Sequence, residues 1–185
     1  MHTVTVGLKS FAPYSQSRAH FTPKLERELA DAYEERTWRQ RLHVTPQGFV
    51  FMPPMAFKNC LSEAAKFLGM QIPGKGRSTY TKHFESGLLI TDPLVLPIQA
   101  DHVEGEWLFV PADGRRGGPK RVPKCFPMIP AWEGSIVIHI LDDIIVKSVL
   151  LTHLEVAGNF IGVGRFRPCN NGFYGRFSVT AMQWE

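Results

Sequence analysis

Residues 49–70 read FVFMPPMAFKNCLSEAAKFLGM. With Gly48 before them, the first four suit a short strand over residues 48–52. Pro53 and Pro54 then end the ladder, and Pro54 suits the first turn of a helix, where its missing N–H has no intrahelical acceptor. Phe57, Cys60, Leu61, Ala64 and Leu68 follow at helical spacing and form one apolar stripe, while Lys58, Asn59, Ser62 and Lys66 face elsewhere. Gly69 supplies the left-handed stop. The stretch predicts a strand that runs straight into a helix with one buried side.

A second unit of this kind lies near the other end. GSIVIHIL (134–141) reads as a buried strand. DDIIVKSVLLTHLEVAG (142–158) ends in a helix that carries Val146, Val149, Leu150, Leu154 and Ala157 on one face, with Asp142 and Asp143 as caps and Gly158 as the stop. HTVTVGL (2–8) alternates as a strand should, and GRFSVTAMQW (175–184) closes the chain the same way. SGLLITDPLVLPI (86–98) is a strand pair or a strand bent at Pro93, and EGEWLFVP (104–111) is another strand. The order is βαββαβ. That predicts an α+β fold with a ferredoxin-like or RNA-recognition-type core, in one domain of 185 residues, with insertions at 9–47 and 99–131. Within the first insertion, residues 23–41 read as a surface helix with Thr22 as its cap and Pro23 at its first position. Its five basic and five acidic residues cancel.

Composition narrows the function. With 44% hydrophobic residues the chain can bury a core, and a net charge of +4 permits an anionic partner. Cys60, Cys125 and Cys169 are odd in number and lack CxxC spacing, which excludes a disulfide framework and a cysteine zinc site and fits a reducing cytoplasm. The start of the chain has no basic-then-apolar leader. The most apolar run is broken by His139, Asp142 and Asp143, so no membrane span is expected. Seven histidines include no HxH or HxxxH pair. Neither a metal nor a cofactor is expected.

One stretch exceeds what a turn needs. GNFIGVGRFRPCNNGFYGRFSV (158–179) holds five glycines, three arginines and five aromatics, and no acid. Gly162, Gly164, Gly172 and Gly175 lack a Cβ and could let the backbone approach a nucleic-acid strand. Arg165, Arg167 and Arg176 offer forked donors for phosphate, and Phe166, Phe173 and Tyr174 offer ring faces for bases. A second basic run, GRRGGPKRVPK (114–124), carries Arg115, Arg116, Lys120, Arg121 and Lys124 without an acid. Its prolines and glycines exclude a central strand and predict a protruding loop or hairpin arm. A third patch, Lys75, Arg77, Lys82 and His83, lies in a loop that lacks the spacing of a phosphate-cradling P-loop.

Two of these segments carry a family likeness. Phe51, Met52, Pro53 and Lys58 resemble the strand–proline–helix pattern of the RAMP superfamily, the backbone and processing subunits of CRISPR effector complexes. The usual Gly-Ser-Ser before the lysine is replaced here by Pro54-Met55-Ala56-Phe57. Gly162, Gly164, Gly172 and Gly175 resemble the superfamily's glycine-rich loop before the last strand, and residues 111–130 resemble its thumb-like hairpin. The chain also resembles small bacteriophage proteins. The likeness implies a non-enzymatic protein that binds single-stranded nucleic acid, RNA ahead of DNA, largely without regard to sequence. It implies copies assembled side by side along the strand, CRISPR effector subunits as further partners, and a site including Lys58, the basic arm and the glycine-rich loop. Two rival readings stand beside it. One is a metal-independent endoribonuclease using His20 with Tyr14, or His43; a metal-assisted variant would use Asp31. The other is an interaction module that mimics or caps a CRISPR complex.

Overall fold

A computed structural model describes residues 1–112 and 117–185. Its central sheet has four antiparallel strands in the order β4-β8-β1-β9, built from β1 (His2–Ser10), β4 (Leu88–Leu89), β8 (Glu133–Ile140) and β9 (Phe177–Trp184). Helix α2 (Pro54–Leu68) lies between β1 and β4 in the chain, and α4 (Lys147–Val156) lies between β8 and β9. Two βαβ units therefore interleave, and the ferredoxin-like order is observed. Alternation explains the sheet. Val4, Val6 and Leu8 of β1 and Ile136, Ile138 and Ile140 of β8 are all buried, and α2 and α4 cover them side by side.

Helix α2 follows its punctuation closely. Pro54 is its first residue, and Gly69 ends it at φ 54°. Phe57, Cys60, Leu61 and Ala64 are buried, joined by Ala65, while Leu68 is half-buried at the end. The strand before it, β3 (Phe49–Met52), pairs with β5 (Leu94–Gln99) as a separate two-stranded sheet. SGLLITDPLVLPI thus divides between two sheets.

Four expectations need correction. The predicted helix over 23–41 shrinks to α1 (Ala30–Thr37), continued by a 3₁₀ turn over Trp38–Arg41. Thr22 is not its cap: its hydroxyl donates to Gln40, and its carbonyl accepts from the Tyr33 hydroxyl. Gly158 does not end α4. The chain continues into a π-turn over Ala157–Ile161, and Gly158 is glycine because a Cβ there would meet the Phe177 carbonyl oxygen at 1.9 Å. Asp142 does not cap α4 either. Its carboxylate accepts from the Ile144 N–H and pairs with His83 at 2.6 Å, so it ties the turn after β8 to α3 (Thr81–Ser86).

The fourth is the exclusion of a central strand from the basic run; the hairpin expected there is observed. The end of the run lies in a strand: β6 (Glu104–Pro111) and β7 (Arg121–Ile129) form a hairpin, and β7 is the middle strand of β2-β7-β6. The prolines are tolerated because β2 (Tyr14–Ser15) reaches only Met128 and Ile129. Pro123, Cys125 and Pro127 share one parity along β7. The Cys125 N–H points away from β6, to the Glu34 carboxylate, so the prolines omit donors on an edge that has no ladder to complete. Glu34 is 1% exposed and also binds Arg41 and Lys124 at 2.7 and 2.9 Å. This buried ion cluster docks the hairpin onto α1. Among the described residues, no helix is long and apolar enough to cross a membrane.

Candidate nucleic-acid interface

The two segments singled out by sequence meet in space. The N-terminus of α2 supplies Pro53 and Ala56, and the glycine-rich loop supplies Gly164, Arg165 and Phe166, to one cleft of about 400 Å³. The third wall is the chain after β2, with Gln16, Ser17 and Arg18, and His43 closes the end. No Asp or Glu lines the cleft among the described residues.

Local hydrogen bonds hold these walls. Gln16 donates to the Phe51 carbonyl at 2.7 Å and accepts from the His43 N–H at 2.6 Å, which pins the β2 segment against β3. The glycine-rich loop is tied to the same segment, because Arg165 N–H donates to the Ser15 carbonyl and Gly175 N–H to that of Pro13. It also folds on itself, with Tyr174 N–H donating to the Phe166 carbonyl. The glycines serve this folding. At Gly175, φ is 72°, and a Cβ would meet the Val163 carbonyl oxygen at 1.8 Å; at Gly172 a Cβ would meet that of Phe166 at 1.8 Å. Gly164 lies against the Tyr14 ring and Gly162 against Pro168. The space their missing side chains leave is filled by the chain itself, not kept open for a ligand.

Among the predicted contact residues, Arg165 stands apart. Its guanidinium lies 3.6 Å from the centroid of the Phe126 ring, on β7, and its buried Nη1 has no hydrogen-bond partner. Burial lowers its pKa, but a guanidinium stays charged at neutral pH. Phe166 is 46% exposed beside it. Arg18, which sequence reasoning did not select, lines the same cleft and is exposed. His43 is half-buried, and burial, followed by the nearby Arg18 charge, lowers its pKa.

Several other predicted residues have their donors or faces engaged. Arg167 pairs with Glu63 at 2.9 Å. Arg176 donates to the Asn159 carbonyl. The Tyr174 ring is buried and its hydroxyl donates to Glu106; desolvation, then that carboxylate, push its pKa up to about 12. Lys58 spends its ammonium on Ser62 Oγ and on the Phe84 and Glu85 carbonyls, each at 2.9 Å, and so caps α3. The partners of these four are supplied within the fold. Phe173 is 52% exposed and meets Tyr174 edge to face.

The remaining predicted residues do not line the cleft. Lys75 and Arg77 are exposed in the loop closed by the Gln71–Thr79 bridge. Lys120 and Arg121 are exposed near the hairpin tip, with Arg121 donating to the Phe109 carbonyl. Arg115 and Arg116 lie outside the described residues. The hydroxyl of Tyr14 is taken by Gln16, and His20 faces Thr22, so the structure does not join them as an acid–base pair.

No family model matches the sequence, and no curated protein matches it. Solved structures do match. A chain of the Type III-B Cmr-beta bound to cognate target RNA is 10% identical with a TM-score of 0.57; the match covers 99% of this chain and 60% of that one. Cmr6 from Pyrococcus furiosus is 11% identical with a TM-score of 0.51, over 96% of this chain and 97% of that one. These chains share the α+β fold described above.

Proposed function

We propose that this protein binds single-stranded nucleic acid, RNA ahead of DNA, along the cleft between the glycine-rich loop and the start of α2, and does not cleave it. One observation carries the reading: a cleft without a lining carboxylate among the described residues holds both Arg165, whose buried Nη1 lacks a partner, and the exposed Arg18, with the half-exposed Phe166 ring centred 6.0 Å from the Arg165 guanidinium. Two guanidinium groups facing one groove suit consecutive phosphates, and an exposed ring suits a base of any identity. The reading omits catalysis because His20 and Tyr14 are directed to separate partners. The RAMP-like fold, shared with a chain solved in a target-RNA assembly, supports work beside a CRISPR effector complex. The open edge of β6, with Trp107 and Phe109 exposed, supports side-by-side packing of copies along a strand.

Fluorescence anisotropy of labelled oligouridine and oligodeoxythymidine at several salt concentrations tests this. The parent should bind both. The Arg18→Gln, Arg165→Gln double variant should bind at least about tenfold more weakly, with the salt slope smaller by about 1.4, because each lost contact on a single strand is worth about 0.7. A folded parent that retains neither oligonucleotide overturns the reading and favours a protein-interaction module.

A further inference from the structure

Arg18 lines a second hollow as well as the cleft. This hollow, about 750 Å³ and open to solvent, is walled by Phe21, Pro23, Leu42 and Val44, with His20 and Arg39 at its polar side. All of these residues belong to the insertion between β1 and β3, which the family likeness leaves unexplained. No carboxylate lines the hollow among the described residues. The nearest acids are already committed: Glu34 to Arg41 and Lys124, and Glu28 to Arg36.

The chemistry of the walls is specific. Phe21 is 96% exposed, an unusual position for so large an apolar ring. The Arg39 guanidinium lies over Trp38, 4.2 Å from the ring centroid, which holds a cation in the lining of the hollow. His20 stacks against Tyr33, at a 26° interplanar angle. An apolar floor, a free ring face and a fixed cation, joined to the cleft by an exposed arginine, match a nucleobase with its phosphate at the junction. A peptide would gain less here, because the charged side chains lining the hollow among the described residues are all basic.

We propose that this hollow receives an unstacked base of the strand bound in the cleft, stacked on Phe21, while Arg18 holds the phosphate between the two sites. The inference rests on the binding reading above. It makes the insertion part of the binding surface and extends the strand's path beyond the superfamily-like core.

The test uses the full chain and oligouridine carrying thiouridine, with photocrosslinks mapped by mass spectrometry and affinity measured by anisotropy. Crosslinks should appear at Phe21 or His20 as well as near Phe166. Phe21→Ala should weaken binding roughly tenfold with the salt slope unchanged, since it removes stacking and no charge. Arg39→Gln should weaken binding and lower the slope. Phe21 is so exposed that its replacement leaves the fold intact, which circular dichroism checks. If the parent binds while Phe21→Ala binds equally well and no crosslink falls in residues 18–44, the hollow is not a base site and the cleft reading survives. If the parent binds nothing, both fall together.

Discussion

The guanidinium of Arg165 lies 3.6 Å from the centroid of the Phe126 ring. Phe126 faces Glu106 across the β6–β7 ladder, and Glu106 accepts the hydroxyl of Tyr174. The hairpin therefore meets the glycine-rich loop through two adjacent contacts, one a cation on a ring and the other a hydroxyl on a carboxylate. The ring holds Arg165 in place, and the Glu106 carboxylate acts on its charge from nearby, second to burial in its effect on the guanidinium.

This distinguishes arginines that look alike in the sequence. Arg165→Gln should weaken oligonucleotide binding about tenfold and reduce the salt slope. Arg167→Gln should change binding less than about threefold, because its charge is already met by Glu63. An exposed ion pair of this kind is worth about 0–1 kcal/mol, so stability should barely move. Equal losses for the two variants in anisotropy titrations would contradict the assignment.

Glu34 should control docking of the hairpin. Burial by itself would raise its pKa, but hydrogen bonds from Arg41, Lys124 and the Cys125 N–H lower it on balance. Its folded value therefore lies below the ordinary 4.5, so its contribution to stability is full above about that pH and is lost as pH falls through the folded value. Glu34→Ala strands two cations and a buried N–H. It should cost about 3–5 kcal/mol in urea unfolding at neutral pH, and should remove part of the acid sensitivity below pH 4.5.

His153 predicts a second pH effect, at milder acidity. The residue is 0% exposed, its ring stacks on Phe84 at 3.9 Å, and its Nε2 has no partner among the described residues. Desolvation lowers its pKa below the ordinary 6.5. The unfolded chain then binds the proton more readily, so stability is full above about 6.5 and declines as pH falls below it. Thermal melts between pH 7 and pH 5 should show this decline, and His153→Leu should flatten it. A parent whose melting temperature is constant over that range would refute the proposal.

Gly175→Ala should damage the loop itself. The residue sits at φ 72°, and a Cβ would meet backbone at 1.8 Å. The conformational part alone costs about 1–3 kcal/mol, and relief of the clash requires the loop to move. The variant should melt earlier and lose oligonucleotide binding together. Binding lost at an unchanged melting temperature would show instead that the glycine is spared for a ligand.

The amino-acid sequence by itself determined the core: the βαββαβ order, helix α2 from Pro54 to its stop at Gly69, and the buried faces of β1 and β8. These rest on periodicity and on proline and glycine stereochemistry, which act between residues a few positions apart. Residues 23–41 carry a helical charge pattern, but the helix starts only at Ala30, and Thr22 is bonded to Gln40 and Tyr33 instead of capping a turn at Pro23. The candidate site shows the limit most clearly. Residues 158–179 contain no acid, and from that window all three arginines look free. Tertiary structure brings Glu63 to Arg167 across 104 positions and Glu106 to Tyr174 across 68, and it leaves Arg165 and Arg18 facing a shared cleft. Whether a charge is available depends on which opposite charge lies within a few ångströms, and only the folded chain decides that.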